Sequence, residues 1–326
     1  MGRPGIEVYV YRASYNYVVS NVSPMIMVAK ADDKRLRGEM RLREPMAKHT
    51  SWKVGGPAER FYIPADLTDL SNFLAQSPTD ATLIWLGLGS NLLVRDGGFK
   101  GTVIAIAGVL EELSRCGTDG IMAGAGVSCN KFARYAVTAG YSGVEFLAGI
   151  PGTIGGALAM NAGAFGGETW DYVRNATTIS RDGTMRTRPR AAFEPGYRFV
   201  KLPEQEWFIA AEFQLPPDPG HAASARLKEL LARRAASQPT GQFSCGSVFR
   251  NPPGDHAGRL IDACGLKGTR IGKARVSDIH ANFIINEGHA SAMDIEQLIQ
   301  FVQRRVSEQT GVYLEPEVRI IGIARD

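Results

Sequence analysis

The sequence predicts an α+β protein in which a glycine-rich domain of about 170 residues precedes a smaller domain. The 326 residues are enough for two or three cores, and 44% hydrophobic and 21% charged residues are ordinary for a globular chain. Short apolar runs that end at Gly or Pro fill the first two-thirds of the chain, and helical periodicity marks the last third. We therefore divide the chain into an N-terminal extension (1–43), a first domain (44–218, in two parts at about 44–110 and 111–218) and a second domain (219–326).

The extension gives the weakest signals. Arg12, Asn16, Asn21 and Pro24 interrupt its apolar pieces, so no clean apolar segment precedes a cleavage site and a signal peptide is disfavoured. Three interpretations stay open: an extra strand on the main body, a disordered arm, or a start codon placed too far upstream.

The first domain alternates strands with short helices. Apolar runs bounded by Gly or Pro predict strands in FYIPADL, TLIWLGLGSNLLV, GTVIAIAG, DGIMAGAG and WFIAAEFQL. We predict one helix over 66–76 and a second helix that Ser128 caps and Gly140 ends. Asp182-Gly183 suits a tight turn between strands, so residues 173–187 should form a β-hairpin.

The segment PPDPG (216–220) is the strongest domain boundary in the sequence. Beyond it we predict helices over about 222–236 and around 260–264. A longer helix should begin at the capping box Ser291-x-x-Asp294 and end before Gly311. ANFIIN and the closing segment VYLEPEVRIIGI read as strands.

Three glycine-rich segments carry the densest functional signal: GLGSN, GAG and GVEFLAGIPGTIGGALAMNAGAFGGE. Glycine lets a backbone approach a ligand closely, and successive turns expose N–H groups that suit a pyrophosphate. Ordinary turns and close packing would explain one glycine pair, but three clusters with polar residues inside them favour a bound dinucleotide. The predicted contacts lie in these segments: Gly87, Gly89, Ser90, Asn91, Gly124, Gly126, Pro151, Gly152, Thr153, Gly156, Asn161 and Gly163.

The sequence disfavours several other kinds of site. Leu92 and Cys129 break GxGxxG at its sixth position and no GxxxxGK[ST] occurs, which argues against Rossmann and P-loop sites. Four spaced cysteines without CxxC and five histidines without HExxH predict no metal site, no disulfide framework and reduced thiols in the cytoplasm. A net charge of +4 without a basic block fits a small anionic ligand and not nucleic acid. The chain has no run of 18 apolar residues, so we expect no membrane span.

Six ordered segments resemble the UDP-N-acetylenolpyruvoylglucosamine reductases: HTSWKVGGPAERF, LGLGSNLLVRDGGF, GIPGTIGGALAMNAGAFGGE, YRF, CGSVFRNP and LEPEVRIIG. The resemblance runs from about Arg43 to Gly322. It implies non-covalent FAD in a domain of the vanillyl-alcohol-oxidase (PCMH) type, followed by an α+β substrate-binding domain. It also implies NADPH as hydride source and the enolpyruvyl ether of UDP-GlcNAc as acceptor, in peptidoglycan precursor synthesis. The compact stretch between Asn251 and Cys264 is similar to the shorter subtype, which lacks a tyrosine-bearing loop. We expect a cytoplasmic monomer.

The resemblance also assigns the reacting residues. Reduction of the enolpyruvyl C=C bond needs a proton source and positive charge near an enolate-like anion. Ser247 is identified as the proton donor, although on local sequence alone a serine turn before Pro252 is the commoner reading. Arg198 matches the arginine that polarises the substrate carboxylate, although without the resemblance it would read as a surface arginine. Val200 departs from the serine that is usual in this motif.

The segment LEPEVR supports the same site. On a strand, Glu315, Glu317 and Arg319 would share one face, although a solvated edge strand would explain the same pattern. The resemblance makes Glu317 the catalytic acidic residue and Arg319 a substrate contact. It further suggests Asn251 and Tyr197 as substrate contacts, and it places Arg234 beside the flavin.

Two rival functions stay open at this point. The first is a flavin oxidase or dehydrogenase on the same FAD domain that acts on a hydroxy acid or sugar. Such enzymes often tether flavin through His or Cys, and His49 and Cys129 lie near glycine-rich segments but in no recognisable tethering motif. The second is a non-catalytic module that binds a nucleotide-sugar, which would leave Ser247, Glu317 and Arg198 without a role.

Overall fold

The structure is a computed structural model that describes residues 26–27, 35–203 and 205–325. The helices of this part of the chain are α1 (Leu67–Gln76), α2 (Cys129–Thr138), α3 (Ile154–Met160), α4 (Ala222–Ser237), α5 (Ala257–Ala263) and α6 (Ala292–Thr310). The strands are β1 (Ile26–Met27), β2 (Glu39–Pro45), β3 (Pro57–Ile63), β4 (Leu83–Leu86), β5 (Leu92–Val94), β6 (Phe99–Ala105), β7 (Leu113–Cys116), β8 (Gly120–Gly124), β9 (Gly163–Ala164), β10 (Gly167–Glu168), β11 (Val173–Ser180), β12 (Met185–Pro189), β13 (Glu194–Gly196), β14 (Phe199–Lys201), β15 (Glu206–Gln214), β16 (Arg270–Ile271), β17 (Ala274–Val276), β18 (Ile284–Asn286) and β19 (Arg319–Ile321).

A four-stranded sheet with the order β2-β3-β6-β4 forms the first part of the glycine-rich domain. β2 is antiparallel to β3, whereas β3 and β4 both run parallel to β6. α1 covers this sheet: Leu70 is fully buried, and Phe73 stacks on Tyr62 of β3 at a centroid distance of 4.0 Å. The Asp66 carboxylate caps α1 by accepting the Asp69 N–H at 2.9 Å. The predicted helix over 66–76 is therefore confirmed, with Asp66 as its cap.

A six-stranded antiparallel sheet with the order β1-β12-β11-β15-β8-β7 forms the second part. The predicted hairpin over 173–187 is confirmed as β11 and β12, and Gly183 in its turn has a φ of +82°. α2 packs on this sheet through Phe132, whose ring lies 4.5 Å from that of Phe213. Ser128 caps α2, as predicted, by accepting the Lys131 N–H at 3.2 Å.

The C-terminal part packs α5 and α6 with the sheet β16-β17-β18. The predicted capping box begins α6. Ser291 Oγ accepts the Asp294 N–H at 3.0 Å, and the Asp294 carboxylate accepts the Ser291 N–H at 3.0 Å. Gly311 ends the helix with a φ of +72°. One apolar face of α6 is buried: Ile295, Leu298, Ile299, Val302 and Val306.

The two domains contact each other directly, through strand pairing and hydrogen bonds, in addition to their connection along the chain. β19, near the C-terminus, pairs in parallel with β5 of the first domain, Arg319 opposite Leu92. The Trp52 indole donates to the Ile284 carbonyl at 2.7 Å, and the Asn286 side chain donates to the Trp52 carbonyl at 2.8 Å. α4 follows the predicted boundary in sequence, yet its Leu227 is buried in the core of the first domain.

Parts of the predicted N-terminal extension form strands. Residues 39–43 belong to β2, which pairs with β3, so this part is an extra strand on the main body. Ile26–Met27 pairs with β12. The other residues of the predicted extension up to 34 lie outside the described part of the chain.

Two elements differ from the sequence-based predictions. The closing segment VYLEPEVRIIGI is not one long strand, because only Arg319–Ile321 pairs in a ladder and Pro316 makes a single bridge to Phe249. The segment GTIGGALAM, which was interpreted only as a glycine cluster, contains the short helix α3. In α3 the small residues let the helix lie close to β8 and β15, as the 2.9 Å separation between Ala125 Cβ and a Cβ added at Gly155 shows.

Candidate active site

A cleft of about 450 Å³ lies between the two sheets of the first domain and the C-terminal part. This size is in the usual range for small-molecule and cofactor sites. Most of the residues that the sequence singled out line this cleft: Gly87, Gly89, Ser90, Asn91, Pro151, Gly152, Thr153, Gly156, Gly163, Arg198, Arg234, Ser247, Glu317 and Arg319.

The turn 87–91 between β4 and β5 forms one wall of the cleft. Gly89 has a φ of +63°, and a Cβ there would lie 2.0 Å from the His49 carbonyl oxygen. Its own carbonyl accepts the Ser51 N–H at 3.1 Å. A side chain at position 89 would therefore displace the backbone of 49–51, and the turn requires glycine.

The segment 151–153 lies opposite, at the start of α3. Thr153 caps this helix, and a Cβ added at Gly87 would meet Thr153 Oγ1 at 2.6 Å, so the two segments are in contact. A Cβ added at Gly152 would meet only Ser90 Oγ, at 3.6 Å. Position 152 therefore has no packing reason to be glycine, and its backbone is left open to the cleft.

Arg234 brings a positive charge to the same cleft. Its Nε donates to Gln238 at 3.0 Å, and none of the ion pairs among the described residues includes it. Burial lowers the pKa of this guanidinium. Because an uncompensated cation is costly to bury, the position fits an anionic ligand. Open glycine backbone on one side and a guanidinium on the other suit the pyrophosphate of a dinucleotide such as FAD.

Ser247 and Glu317 are held on one wall by their neighbours in the backbone. The Glu317 N–H donates to the Val248 carbonyl at 2.7 Å, and the Val248 N–H donates to the Asn282 carbonyl at 2.9 Å. Gly246, with a φ of +71°, turns the chain just before the serine. These bonds bring the backbone next to Ser247 against that of Glu317, although 70 residues separate the two in sequence.

The Glu317 carboxylate is poorly solvated. Burial raises its pKa, and the positive charges of Arg198 and Arg250 oppose this effect. Arg198 Nε lies 3.3 Å from Glu317 Oε2. Asn91 of the glycine turn donates its side-chain amide to the Glu317 carbonyl at 3.1 Å. The acid is thus tied to the glycine turn, to the Ser247 segment and to an arginine.

Arg198 adopts a backbone conformation that is rare for its residue type. Its φ is +62°, in the left-handed region, where a side chain other than glycine is strained. Its Nη1 donates to the Gly163 carbonyl at 3.1 Å, and its guanidinium lies over the Tyr197 ring at 5.3 Å. Val200, which replaces the usual serine, packs against the core of the first domain. Arg198 is therefore oriented by contacts that need no hydroxyl at position 200.

Two of the three residues on the predicted shared face of LEPEVR line the cleft. Glu315 has a side chain that is 68% exposed, and its nearest cation is Arg250, at 3.7 Å. Glu317 and Arg319 line the cleft, whereas Glu315 does not. Residues 315–318 lie outside the ladder of β19, and Pro316 makes only an isolated bridge to Phe249, so the alternation of a regular strand does not carry Glu315 into the cleft.

Several predicted contacts lie behind the cleft wall. A Cβ at Gly124 or Gly126 would lie 2.3 Å from the carbonyl oxygens of Leu110 and Ile106, so these glycines allow close packing of β8 on a neighbouring segment. The Asn161 amide donates to Glu168 at 2.7 Å and to the Gly196 carbonyl at 3.2 Å. None of these three predicted residues is among those that line the cleft.

Tyr197 and Asn251 contact each other at the edge of the site. The Asn251 N–H donates to the Tyr197 hydroxyl at 3.3 Å, and the Asn251 side chain accepts the Ala257 N–H at the start of α5 at 3.0 Å. Neither residue lines the cleft. Their assignment as substrate contacts stays a prediction.

The residues considered for covalent flavin attachment are engaged elsewhere. The His49 ring stacks on Phe61 and its Nε2 lies 2.9 Å from Glu44 Oε1. The Cys129 thiol is fully buried, and burial raises its pKa to about 12. Neither side chain lines the cleft, so this geometry agrees with a cofactor that is not covalently bound.

Other residues that line the cleft carry no functional signal in the sequence. Trp85 of β4 and Trp207 of β15 stack on each other at a centroid distance of 5.2 Å. Gln238, Cys245 and Phe283 also line the cleft. They read as ordinary strand, loop or core residues because their proximity depends on pairing between distant segments.

Among the residues described, no three or more His, Cys, Asp or Glu side chains are grouped so that they could hold a metal ion. No helix in the same part of the chain is long and apolar enough to cross a bilayer.

Comparison with known proteins agrees with the geometry. The family model described as UDP-N-acetylenolpyruvoylglucosamine reductase, C-terminal domain, matches residues 238–321, and the one described as FAD binding domain matches residues 58–188. The chain is 57% identical to the UDP-N-acetylenolpyruvoylglucosamine reductase of Methylococcus capsulatus, over 89% of this chain and 95% of that relative. It is 55% identical to the enzyme of the same name from Alkalilimnicola ehrlichii, over 90% and 99%. The crystal structure of UDP-N-acetylenolpyruvylglucosamine reductase from Thermus caldophilus superimposes with a TM-score of 0.75 at 35% identity, over 88% of this chain and 99% of that one.

Proposed function

This chain belongs to the UDP-N-acetylenolpyruvoylglucosamine reductase family, and we propose that Ser247, Glu317 and Arg198 carry out its chemistry. It is an FAD-containing, NADPH-dependent oxidoreductase that reduces the enolpyruvyl ether of UDP-GlcNAc in peptidoglycan precursor synthesis. The observation that carries the proposal is the 2.7 Å bond from the Glu317 N–H to the Val248 carbonyl, which brings serine and acid to one wall of the cleft.

The cofactor is held by the two opposed glycine segments and by Arg234. Gly87, Gly89, Gly152 and Arg234 surround the part of the cleft whose chemistry suits a pyrophosphate. When bound, FAD supplies a hydride acceptor and donor at N5, between NADPH and the C=C bond of the substrate.

Arg198 and Arg319 bind the anionic part of the substrate. Both residues line the cleft, and the Arg198 Nε lies 3.3 Å from Glu317 Oε2. When hydride reaches one carbon of the enolpyruvyl group, negative charge develops on the other carbon and the adjacent carboxylate. A fixed arginine stabilises that charge more than it stabilises the ground state, which lowers the barrier.

Ser247 then donates the proton. A serine hydroxyl is a weak acid, but an enolate-like carbon is basic enough to accept its proton when the two are well aligned. Glu317 stands beside it with a pKa raised by burial, so it takes up a proton more readily than an exposed carboxyl group. In the protonated form it can donate a hydrogen bond to the developing anion.

Separate half-reactions test the role of Ser247. Ser247→Ala should let NADPH bleach the yellow colour of the enzyme at near the normal rate, because that step needs no proton on the enolpyruvyl carbon. Return of the yellow colour on addition of UDP-GlcNAc enolpyruvate should slow by roughly 100- to 10,000-fold, which is typical for loss of a positioned general acid. Both rates are measured by stopped-flow absorbance.

Ser247→Cys is the matched variant, and it should recover part of the second rate because a thiol also donates a proton. Normal reoxidation of Ser247→Ala would reduce Ser247 to a turn residue and make Glu317 or a bound water the leading proton donor.

The remaining features of the proposal concern the whole protein. The proposed boundary between the two domains lies at 219, and α4, which follows it, is a connecting helix that packs on the first domain. Four free cysteines and NADPH as reductant support a cytoplasmic enzyme. We propose a monomer that binds these small molecules and no nucleic acid, and light scattering on the purified protein tests its mass.

A further inference from the structure

The four tryptophans of the chain fall into two pairs with different environments. Trp52 and Trp170 are fully buried, and each indole N–H donates to a backbone carbonyl, at 2.7 and 2.8 Å. Trp85 and Trp207 are partly exposed and stack on each other at 5.2 Å with 19° between their planes. The Trp85 Nε1 is buried without a partner among the described residues. A core tryptophan usually satisfies its N–H, so the second pair is not explained by packing alone.

This pair belongs to an apolar part of the cleft lining. Both tryptophans line it, and the residues around them in the lining are mostly apolar: Leu83, Ile84, Ile106 and Phe208. Glu206 is the charged residue next to Trp207, and its carboxylate is already engaged with Arg188 at 2.7 Å and with Thr178 at 2.7 Å. An apolar wall with an exposed indole face suits a flat ring and not a phosphate.

The position of the pair along the chain identifies which ring. Trp85 precedes the glycine turn 87–91, and Asn91 at the end of that turn contacts Glu317. An extended chain of six residues spans at most about 20 Å. Trp85 therefore precedes one end of the glycine turn, and the other end of the turn contacts the reacting residues. FAD joins two ring systems through a pyrophosphate, and the flavin ring belongs beside Ser247 and Glu317. The ring left for the indole pair is adenine.

We propose that the stacked pair Trp85 and Trp207 binds the adenine ring of FAD and thereby makes the site select FAD over FMN. This inference rests on the FAD-dependent function above. Stacking of a base on an aromatic side chain can hold the ring without a dense set of hydrogen bonds.

Loss of the stacking face should weaken FAD binding selectively. For Trp85→Ala and for Trp207→Ala, the dissociation constant of FAD should rise by roughly 10- to 100-fold, as measured from flavin fluorescence on dilution of the holoenzyme. Trp85→Phe is the matched control that retains an aromatic face, and it should lose less than Trp85→Ala.

Two competitors separate the adenine end from the flavin end. FMN has no adenine, so it should displace FAD from Trp85→Ala at a concentration roughly 10- to 100-fold lower than from the wild type. ADP carries the adenine, so Trp85→Ala should weaken ADP binding and FAD binding by the same factor. The concentration of ADP that displaces FAD should therefore be the same for Trp85→Ala and for the wild type.

Unchanged FAD affinity in both alanine variants with normal circular dichroism would overturn the proposal. A fall in FMN and FAD affinity by the same factor would also overturn it, because the whole site would then be damaged. The Ser247→Ala half-reactions test the reductase mechanism independently of either outcome.

Discussion

The side-chain amide of Asn91 donates to the carbonyl oxygen of Glu317 at 3.1 Å, across 226 positions of sequence. The Asn91 carbonyl in turn accepts the Arg319 N–H at 3.1 Å. One residue of the glycine turn therefore fixes the position of the acid and of the arginine two residues beyond it.

Asn91→Ala should lower the free energy of unfolding by about 0.5–1.5 kcal/mol, the usual loss for one intramolecular hydrogen bond. It should also lower kcat, because Glu317 would no longer be held in register with Ser247. Urea unfolding and steady-state rates measure the two effects. Gln297→Ala, on the exposed side of α6, is the control and should stay within about 0.5 kcal/mol of the wild type. Wild-type kcat in Asn91→Ala would show that this bond does not position the acid.

Gly152→Val should give a folded protein with little flavin. A Cβ at position 152 meets only Ser90 Oγ at 3.6 Å, so the substitution fills the cleft and leaves the packing intact. The ratio of flavin to protein absorbance in the purified protein measures occupancy. Gly220→Val is a matched control in an exposed turn, where no atom lies within 4 Å of an added Cβ, and it should keep its flavin. Full occupancy in a well-folded Gly152→Val protein would remove the segment 151–153 from the cofactor site.

A chain that begins at Arg41 should be less stable than one that begins at Arg35. The shorter chain loses the first residues of β2 and the Arg37 contacts to Asp66 and Asp69, at 2.6 to 2.7 Å. A loss of about 1–2 kcal/mol would lower the melting temperature by roughly 2–8 °C for a protein of this size. Equal melting temperatures by calorimetry would contradict this expectation and favour the view that residues up to 40 are dispensable.

Arg198→Gln should move the pH profile of substrate reduction to higher pH. Burial already raises the pKa of Glu317, and the nearby guanidinium opposes that rise. Removal of the positive charge leaves burial unopposed, so Glu317 should keep its proton to higher pH. The flavin reoxidation rate, measured across pH, should show the titration of Glu317 displaced in the alkaline direction. Glu317→Gln should abolish that titration, and an unshifted profile in Arg198→Gln would show that the two groups are not coupled.

Much of the fold could be predicted because its signals are local. Ser128 and Ser291 cap the helices they were expected to cap, and the turn at Asp182-Gly183 forms its hairpin. β2 was left among three interpretations because its partner β3 begins 12 residues after β2 ends and nothing in 39–43 alone demands a sheet. α3 was missed because its glycines read as turns.

The same distinction between local signals and contacts of distant segments applies to the candidate site. Glycines such as Gly89 could be identified because a tight turn needs glycine wherever it occurs. Gly124 and Gly126 have the same local pattern, yet they serve packing, which is decided by the segment that lies against them. Trp85 and Trp207 could not be predicted as neighbours, because their contact depends on how two separate sheets face each other. The period-two argument does not place Glu315 in the cleft, because a continuous strand was assumed where the structure has one isolated bridge at Pro316 before β19 begins.

The parallel pairing of β5 with β19 also constrains how the enzyme matures on the ribosome. Leu92 of β5 pairs with Arg319 of β19, so β19 is synthesised more than 200 residues after the strand with which it pairs. At about 5–20 residues per second, this interval lasts roughly 10–45 seconds. During that time a nascent chain can form the glycine segments but has neither Glu317 nor the β19 edge. Stable capture of the cofactor in its reactive arrangement should therefore be a late event, close to the release of the finished chain.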